Sequence, residues 1–494
     1  MLPTTLPCGA RTFLGDVSEE TSTRPPGRLV RRTDRVRRND RIHRVPRLSL
    51  SPLDRRIIGL AVPALGALVV EPLYTITDTA IVGHLGRAQL GGLAIATTVL
   101  NLIGWTSAFL EMATTSQVAF RRGRGDADGA TDAATAAYLA ALALGVGVAL
   151  LVAFAGPPIA HGLGADGAIQ HNATTYLRIS AIGMPFLLLT LAGTGHLTGH
   201  EDTRTPLRIV LAANVINVAL EVVLVYVAHT GVAGSAWGTV VAQAVAAALF
   251  VTASHRRTTT IRRPARSEFT LLVRSGTALV IRTIALGAAL TAATAIAAHV
   301  GSATLGGHQI ALQVWLLLAL TLDALAVPAQ VYVGAALGAG HVDEAVDIGA
   351  RCLRLGLIAS AAVAIVTIAL SPALPYVFSS DGSVRHVATI ALVICGALQP
   401  FAALAFVYDG LLLGAGDFAT LRRSMLLSLL AFAPLAAATL VHPALGVTGI
   451  WLALTCWLAA RTALLGRRWR SRAWAVPAVA PAPSPAPAPP ASLK

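Results

Sequence analysis

Two carboxylates, Glu71 and Asp78, sit in the run Glu71-Pro-Leu-Tyr-Thr-Ile-Thr-Asp78-Thr-Ala-Ile-Val-Gly-His-Leu-Gly86, inside an apolar stretch long enough to cross a bilayer. A carboxylate at the bilayer centre costs about 3 kcal/mol on insertion scales, so such residues face a cavity or a partner and mark an ion or substrate path. Glu71, Tyr74 and Asp78 are three and four residues apart and form one polar stripe on a helix. Asn214, Asn217 and Glu221 repeat that spacing, and Thr239 and Gln243 are four apart. Two acids such as Asp78 and Glu221, held together in low dielectric, repel when both are ionised, so the pair can carry a proton. Asn217 and Thr239 can donate to a carboxylate, and each can accept from its protonated form. The chemistry expected is therefore proton binding at Asp78, Glu221, Asn217 and Thr239, beside a cavity lined by Glu71, Tyr74, Asn214 and Gln243. The plainer alternative is that the Asn, Thr and Gln groups only join helices through hydrogen bonds.

These stripes need spanning helices to carry them. The chain is 55% hydrophobic and 13% charged over 494 residues, with a mean hydropathy of +0.68. That describes an all-α polytopic membrane protein. Twelve spans are expected at about 57–83, 89–120, 131–155, 171–196, 205–228, 232–254, 269–299, 304–335, 346–371, 385–413, 419–441 and 446–467. The net charge of +14 does not point to nucleic acid. Residues 1–56 alone hold 13 Arg against 6 Asp and Glu, and most other arginines fall in alternate short connections. By the positive-inside rule both termini are cytoplasmic. Cys8, Cys352, Cys395 and Cys456 are scattered, giving neither a disulfide framework nor a metal-ligand spacing. The organisation expected is a disordered basic tail over 1–50, an N-lobe over 51–254, a basic linker over 255–268, a C-lobe over 269–470 and an Ala/Pro-rich disordered tail over 471–494.

The two lobes are a repeat. Ala80-Ile-Val-Gly-His-Leu-Gly-Arg-Ala-Gln-Leu-Gly-Gly92 matches Ala295-Ile-Ala-Ala-His-Val-Gly-Ser-Ala-Thr-Leu-Gly-Gly307, an offset of 295 − 80 = 215. The same offset pairs Gly123 with Gly338, Asp128 with Asp343, Pro185 with Pro400, Gly199 with Gly414, Asp202 with Asp417 and Gly231 with Gly446. Parallel repeats of this kind are a transporter architecture. The lobes differ where chemistry is expected. Glu71, Tyr74 and Asp78 map onto Leu286, Ala289 and Ala293; Asn214, Asn217 and Glu221 map onto Leu429, Phe432 and Ala436; Thr239 and Gln243 map onto Leu454 and Leu458. Ion coupling is thus expected in the N-terminal half alone. The second half carries Arg282, Asp323 and Asp409 in its spans, which we count as cavity-lining, and a buried Arg–Asp pair is expected because a lone arginine at that depth is hard to insert. Arg282 is also available to an anionic ligand. His84 and His299, at equivalent positions beside glycine-rich turns, read as fold residues, and Pro63 and Pro72 favour a bend in the first helix.

The run Val62 to Gly86, with Gly199-His-Glu-Asp202-Thr-Arg-Thr-Pro206, Asp323-Ala-Leu-Ala and Asp409-Gly-Leu-Leu-Leu-Gly-Ala-Gly-Asp417, resembles the DinF branch of the MATE multidrug exporters, particularly its actinobacterial members. The resemblance spans about residues 52–470. It implies two six-helix lobes around a central cleft, and cation-coupled export of organic, often cationic compounds from the cytoplasm across the plasma membrane. It places the family's coupling residues on Asp78, Asn217, Glu221 and Thr239, with Glu221 standing where the family usually has Asp. The acidic second-lobe pattern of sodium-coupled members is not apparent, so the coupling ion expected is a proton, with sodium as the alternative. A monomer without cofactor, metal or catalytic residues, working on a small organic substrate within the bilayer, completes the expectation. Its rivals are export or flipping of an anionic metabolite or lipid-linked intermediate, and an intramembrane transferase, for which the loops are short.

Overall fold

The computed structural model describes residues 51–257 and 263–475. The tail expected over 1–50, residues 476–494 of the tail expected over 471–494 and positions 258–262 of the linker lie outside the described residues, whereas residues 471–475 form a turn whose Trp474 is buried and stacked on Trp469. The described chain runs α1 (Pro52–Gly83), α2 (Arg87–Ser107), α3 (Phe109–Gly123), α4 (Ala127–Gly162), α5 (Gly167–Gly199), α6 (Arg204–Val222), α7 (Val232–His255), α8 (Arg266–Val300), α9 (Ser302–Asp323), α10 (Ala326–Gly338), α11 (Val342–Leu370), α12 (Pro375–Phe378), α13 (Gly382–Ala397), α14 (Gln399–Gly414), α15 (Phe418–Val441) and α16 (Gly446–Arg470). Among the described residues eleven spans are long and apolar enough to cross a membrane, and α13 with α14, bent by 49°, makes a twelfth if the pair is one span. Helices answer the bilayer's demand that backbone polar groups be satisfied within the segment. Their starts are written locally. Ser51 and Asp54 form a reciprocal capping box at α1, with Pro52 in the first turn, where its missing N–H costs nothing.

The repeat is visible in the turns as well as the spans. Gly231 and Gly446, 215 apart, have φ of +63° and +55°, a conformation that costs a side-chain-bearing residue dearly. The connection before α6 recurs before α15. Asp202 accepts from the Thr205 backbone N–H at 2.9 Å and its hydroxyl at 2.8 Å; Asp417 accepts from Thr420 at 3.2 and 2.8 Å. An arginine closes each cap, Arg257 at 2.5 Å from Asp202 and Arg468 at 2.7 Å from Asp417. Asp202→Ala and Asp417→Ala should each cost about 1 kcal/mol of stability, and the double variant about the sum, because the two caps share no partner. Melting temperatures of the purified variants check this. His84 spends its Nδ1 on the Ala80 carbonyl at 2.6 Å, which fits a fold role.

Residues 89–120 and 304–335 each stay one span, Arg87–Gly123 and Ser302–Gly338, with a local irregularity at Ala108 and at Ala324–Leu325. Pro328 accounts for the second: it lacks an N–H and its ring would meet the Ala324 carbonyl in a regular helix. The span expected over 385–413 is broken, at Leu398, where Pro400 opens α14. By contrast α1 runs unbroken through Pro63 and Pro72.

Helices α1–α7 pack on one another, as do α8–α16, and the halves meet at the end that carries the arginine-rich connections. There one apolar core draws Ile57, Leu60 and Leu110 of the first half together with Leu279, Val333 and Leu411 of the second. Polar bonds cross the same junction. Arg121 grips both carboxylate oxygens of Glu268 at 2.6 Å, Arg351 reaches Ser51 at 2.8 Å and Asp54 at 3.4 Å, and Gln330 donates to the Met112 carbonyl at 2.7 Å and the Ser116 hydroxyl at 2.8 Å.

Candidate proton-coupling site

Three helices of the first lobe bring the site together. Asp78 lies on α1, Asn217 and Glu221 on α6, and Ser235 and Thr239 on α7. Asp78 is 2% exposed and accepts a 2.5 Å hydrogen bond from the Ser235 hydroxyl. Glu221 is fully buried against Asp78 and Ser235, and neither of its carboxylate oxygens receives a hydrogen bond. A π-helical turn, Val223–Val227, follows at once, widening α6 where Glu221 turns inward. Tyr74 meets the Thr239 hydroxyl at 2.8 Å, and Asn217 donates to the same hydroxyl at 3.4 Å while its own side-chain oxygen stays unpartnered. Two buried carboxyl groups in one low-dielectric site repel when both are ionised.

The remaining sequence-predicted residues divide. Gln243 lies one turn along α7 from Thr239, facing Gly183, with its Oε1 unpartnered. Asn214 donates to Val210 of its own helix at 2.8 Å and takes no part. Glu71 is exposed and stands apart from Asp78; it lies within electrostatic reach of Glu111 of α3, as does Asp323 at the end of α9. Arg282 and Asp409, expected on the cavity wall, are instead buried inside the second lobe at 7% and 2% exposure. Asp409 Oδ2 accepts from Arg282 at 2.6 Å and also from Arg461 of α16, so the expected Arg–Asp pair is a triad, with Asp323 nearby. Sequence reasoning missed Tyr176, Ser235, Glu111 and Arg461. Tyr176, 2% exposed, packs beside Asp78, Ser235 and Thr239. The 215 offset maps these four onto Ala391, Ile450, Ala326 and Ala246, so the same comparison carried through every span would have found them.

The MatE family model matches the chain twice, over residues 63–223 and 280–439, one copy in each lobe and 217 residues apart at their starts. The chain belongs to the MATE family. This MATE protein is 30% identical to the Arabidopsis thaliana protein DETOXIFICATION 44, chloroplastic, over 86% of its own length and 83% of that protein's. It is 27% identical to the DNA damage-inducible protein F of Escherichia coli K12, over 86% and 95% of the two chains. Its fold matches a crystal structure of MATE in the bent conformation with a TM-score of 0.81, at 19% identity, covering 85% of this chain and 96% of that one. The MATE protein is accordingly a multi-pass membrane transporter and not an enzyme. The duplication, the twelve-span plan and the resemblance to MATE exporters drawn from the residues are all borne out.

Proposed function

We propose that this MATE protein is a proton-coupled antiporter of the plasma membrane that exports organic cations by alternating access, with its arginine-rich end in the cytoplasm. The observation that carries the reading is the buried Asp78–Glu221 pair, in which one carboxylate has a hydroxyl donor and the other has none. Protonation from outside neutralises the pair and stabilises one arrangement of α1 against α6 and α7; loss of the proton to the cytoplasm favours the other. The proton drives the cycle only through its different affinity for the two states. Pro63 and Pro72 give α1 two carbonyls without helical partners and hence a low cost of bending. The cationic substrate class is supported by Glu71 and Asp323, acids of the two lobes that both lie within electrostatic reach of Glu111.

Export of an anionic or lipid-linked compound is the second reading, and Arg282 is its residue. Because Arg282 is already spent on Asp409 inside the second lobe, the cationic reading is the stronger. Inverted membrane vesicles given an inward-acid pH gradient should accumulate a fluorescent cationic dye, and an uncoupler should reduce uptake to that of vesicles lacking the protein. Uptake undiminished after collapse of the gradient would refute proton coupling. Competition by anionic but not cationic compounds would instead transfer the substrate class to the second reading.

A further inference from the structure

Five arginines at the arginine-rich end hold an acid each. Arg121 pairs with Glu268, Arg122 with Glu201, Arg257 with Asp202, Arg351 with Asp54 and Arg468 with Asp417, at 2.5 to 3.4 Å. Arg55, Arg204, Arg208, Arg274 and Arg423 differ. All five are exposed, and among the described residues no acid pairs with any of them.

Arg208 and Arg423 are images of each other, since 208 + 215 = 423, and each heads the outward stripe of its helix. Below Arg208 on α6 stand Leu211 and Val215, 44% and 69% exposed; below Arg423 on α15 stand their images Leu426 and Leu430, 44% and 68% exposed. Spacings of three and seven residues put each set on one helix face. An arginine at the edge of a lipid-facing apolar stripe lays its methylenes along that stripe and carries its guanidinium to the level of the headgroups.

Each stripe borders the first helix of its lobe. The Thr203 hydroxyl donates to the Leu60 carbonyl of α1 at 3.0 Å, and a Cβ on Gly66 would lie 3.1 Å from the Leu207 side chain. Arg204 and Arg208, the residues that follow Thr203 and Leu207, therefore stand beside α1, where Arg55 is exposed five residues before Leu60. In the second lobe Phe418 of α15 shares a core with Leu272 and Leu279 of α8, and Arg274 is exposed between those two leucines. The image of Arg274 is Gly59, one turn from Arg55 on the same face of α1. Each lobe thus has a groove between its first and fifth spans, with unpaired arginine on both helices at one end and exposed aliphatic side chains beneath.

We propose that these two grooves bind anionic phospholipid, one molecule in each lobe. The phosphate is held by Arg204 and Arg208 with Arg55 in the first lobe, and by Arg423 with Arg274 in the second; an acyl chain lies on Leu211 and Val215, or on Leu426 and Leu430. Charge selects the occupant. Guanidinium N–H groups match phosphate oxygens in pairs, and two or three cations without acids favour a headgroup of net negative charge over a zwitterionic one, whose ammonium they repel. The arginine-headed aliphatic stripe survives in both copies of the repeat, whereas the polar groups around Asp78 survive in one, so the grooves are separate from ion coupling. Only the leaflet rests on the reading above, which puts the arginine-rich end in the cytoplasm.

The test titrates the purified full chain, in neutral detergent, with phosphatidylglycerol and counts bound lipid by native mass spectrometry. The wild type should retain two molecules in preference to phosphatidylcholine. Arg208→Gln and Arg423→Gln should each weaken one of the two by about fivefold, and the double variant both. Arg256→Gln removes an exposed arginine outside both grooves and should weaken neither, which separates a site from net charge. Glycerol phosphate, which offers the phosphate without the chains, should not displace the lipid at equal concentration. Wild-type retention of phosphatidylglycerol no greater than that of phosphatidylcholine would overturn the proposal, and this comparison needs no variant. Equal losses in Arg208→Gln and Arg256→Gln, or displacement by glycerol phosphate, would overturn it as well. The assay contains neither substrate nor pH gradient, so lipid retained by a protein that moves no dye would leave the grooves standing and refute only the cationic antiport reading.

Discussion

Asp78→Asn is expected to reduce proton-gradient-driven dye efflux at least about tenfold, to the level of vesicles without the protein, while leaving the amount of folded protein unchanged. Asparagine has nearly the shape of aspartate and can still accept from the Ser235 hydroxyl, so the contact seen at 2.5 Å survives. What it cannot do is change charge. Glu221 is then left without a second acid to repel it, so its proton affinity no longer depends on how α1 sits against α6 and α7, and a ligand without differential affinity shifts no equilibrium. Glu221→Gln should also fail to couple, for a different reason. It removes the second carboxylate whose repulsion makes the pair hold a proton, leaving Asp78 with its hydroxyl donor and free to stay ionised. Neither variant should melt below the wild type, because each replaces a buried acid by a neutral group of the same size. That combination, normal stability with lost efflux, separates a coupling role from a structural one. Full activity in Asp78→Asn would show that coupling resides elsewhere in the chain.

Hydrophobicity made the spans legible because the bilayer sets both their length and their need for internal hydrogen bonding. Expected and observed ends agree within a few residues, as at 232–254 against Val232–His255. The site was legible for a different reason. A duplicated chain contains its own control, and Asp78, Asn217, Glu221 and Thr239 stand out because their partners Ala293, Phe432, Ala436 and Leu454 show that the fold does not need them to be polar. Three things were not legible. Helical spacing puts Asn214 on the same stripe as Glu221, but a side chain that reaches its own backbone, here Val210, leaves no trace in a pattern. The 49° bend at Leu398 does not show in hydropathy, because α13 and α14 are both apolar and read as one span. And the close approach of α3 and α10 at Gly123 and Gly338 was visible as a repeat but not as a contact, because a shared offset says that two residues are equivalent and says nothing of whether they touch.

Asp409→Ala should be the most destabilising single substitution in the second lobe. Among the described residues, Asp409 is the one to which the buried guanidiniums of Arg282 and Arg461 both donate, and each Nε lacks a partner there. Removing the carboxylate leaves two like charges facing each other at 7% and 2% exposure, with Asp323 the nearest remaining acid. Breaking a buried pair on one side typically costs about 3–5 kcal/mol, a large share of a protein's net stability. The expected result is loss of folded protein from the membrane, measured as detergent-extractable monodisperse material. Removing the whole cluster should cost far less. Arg282→Met, Asp409→Leu and Arg461→Met together replace charges by apolar groups of similar volume, an exchange that is often neutral because ions bring a desolvation penalty with them. The N-lobe already lives without these charges, for the equivalent positions are Ala67, Thr194 and Ala246. The triple variant should therefore recover most of the folded protein lost in Asp409→Ala. If it then exports dye like the wild type, the triad serves the fold. If it folds and exports nothing, the charges are needed for the transport cycle itself, and Asp323, half-buried between the triad and the cleft, becomes the residue through which they act.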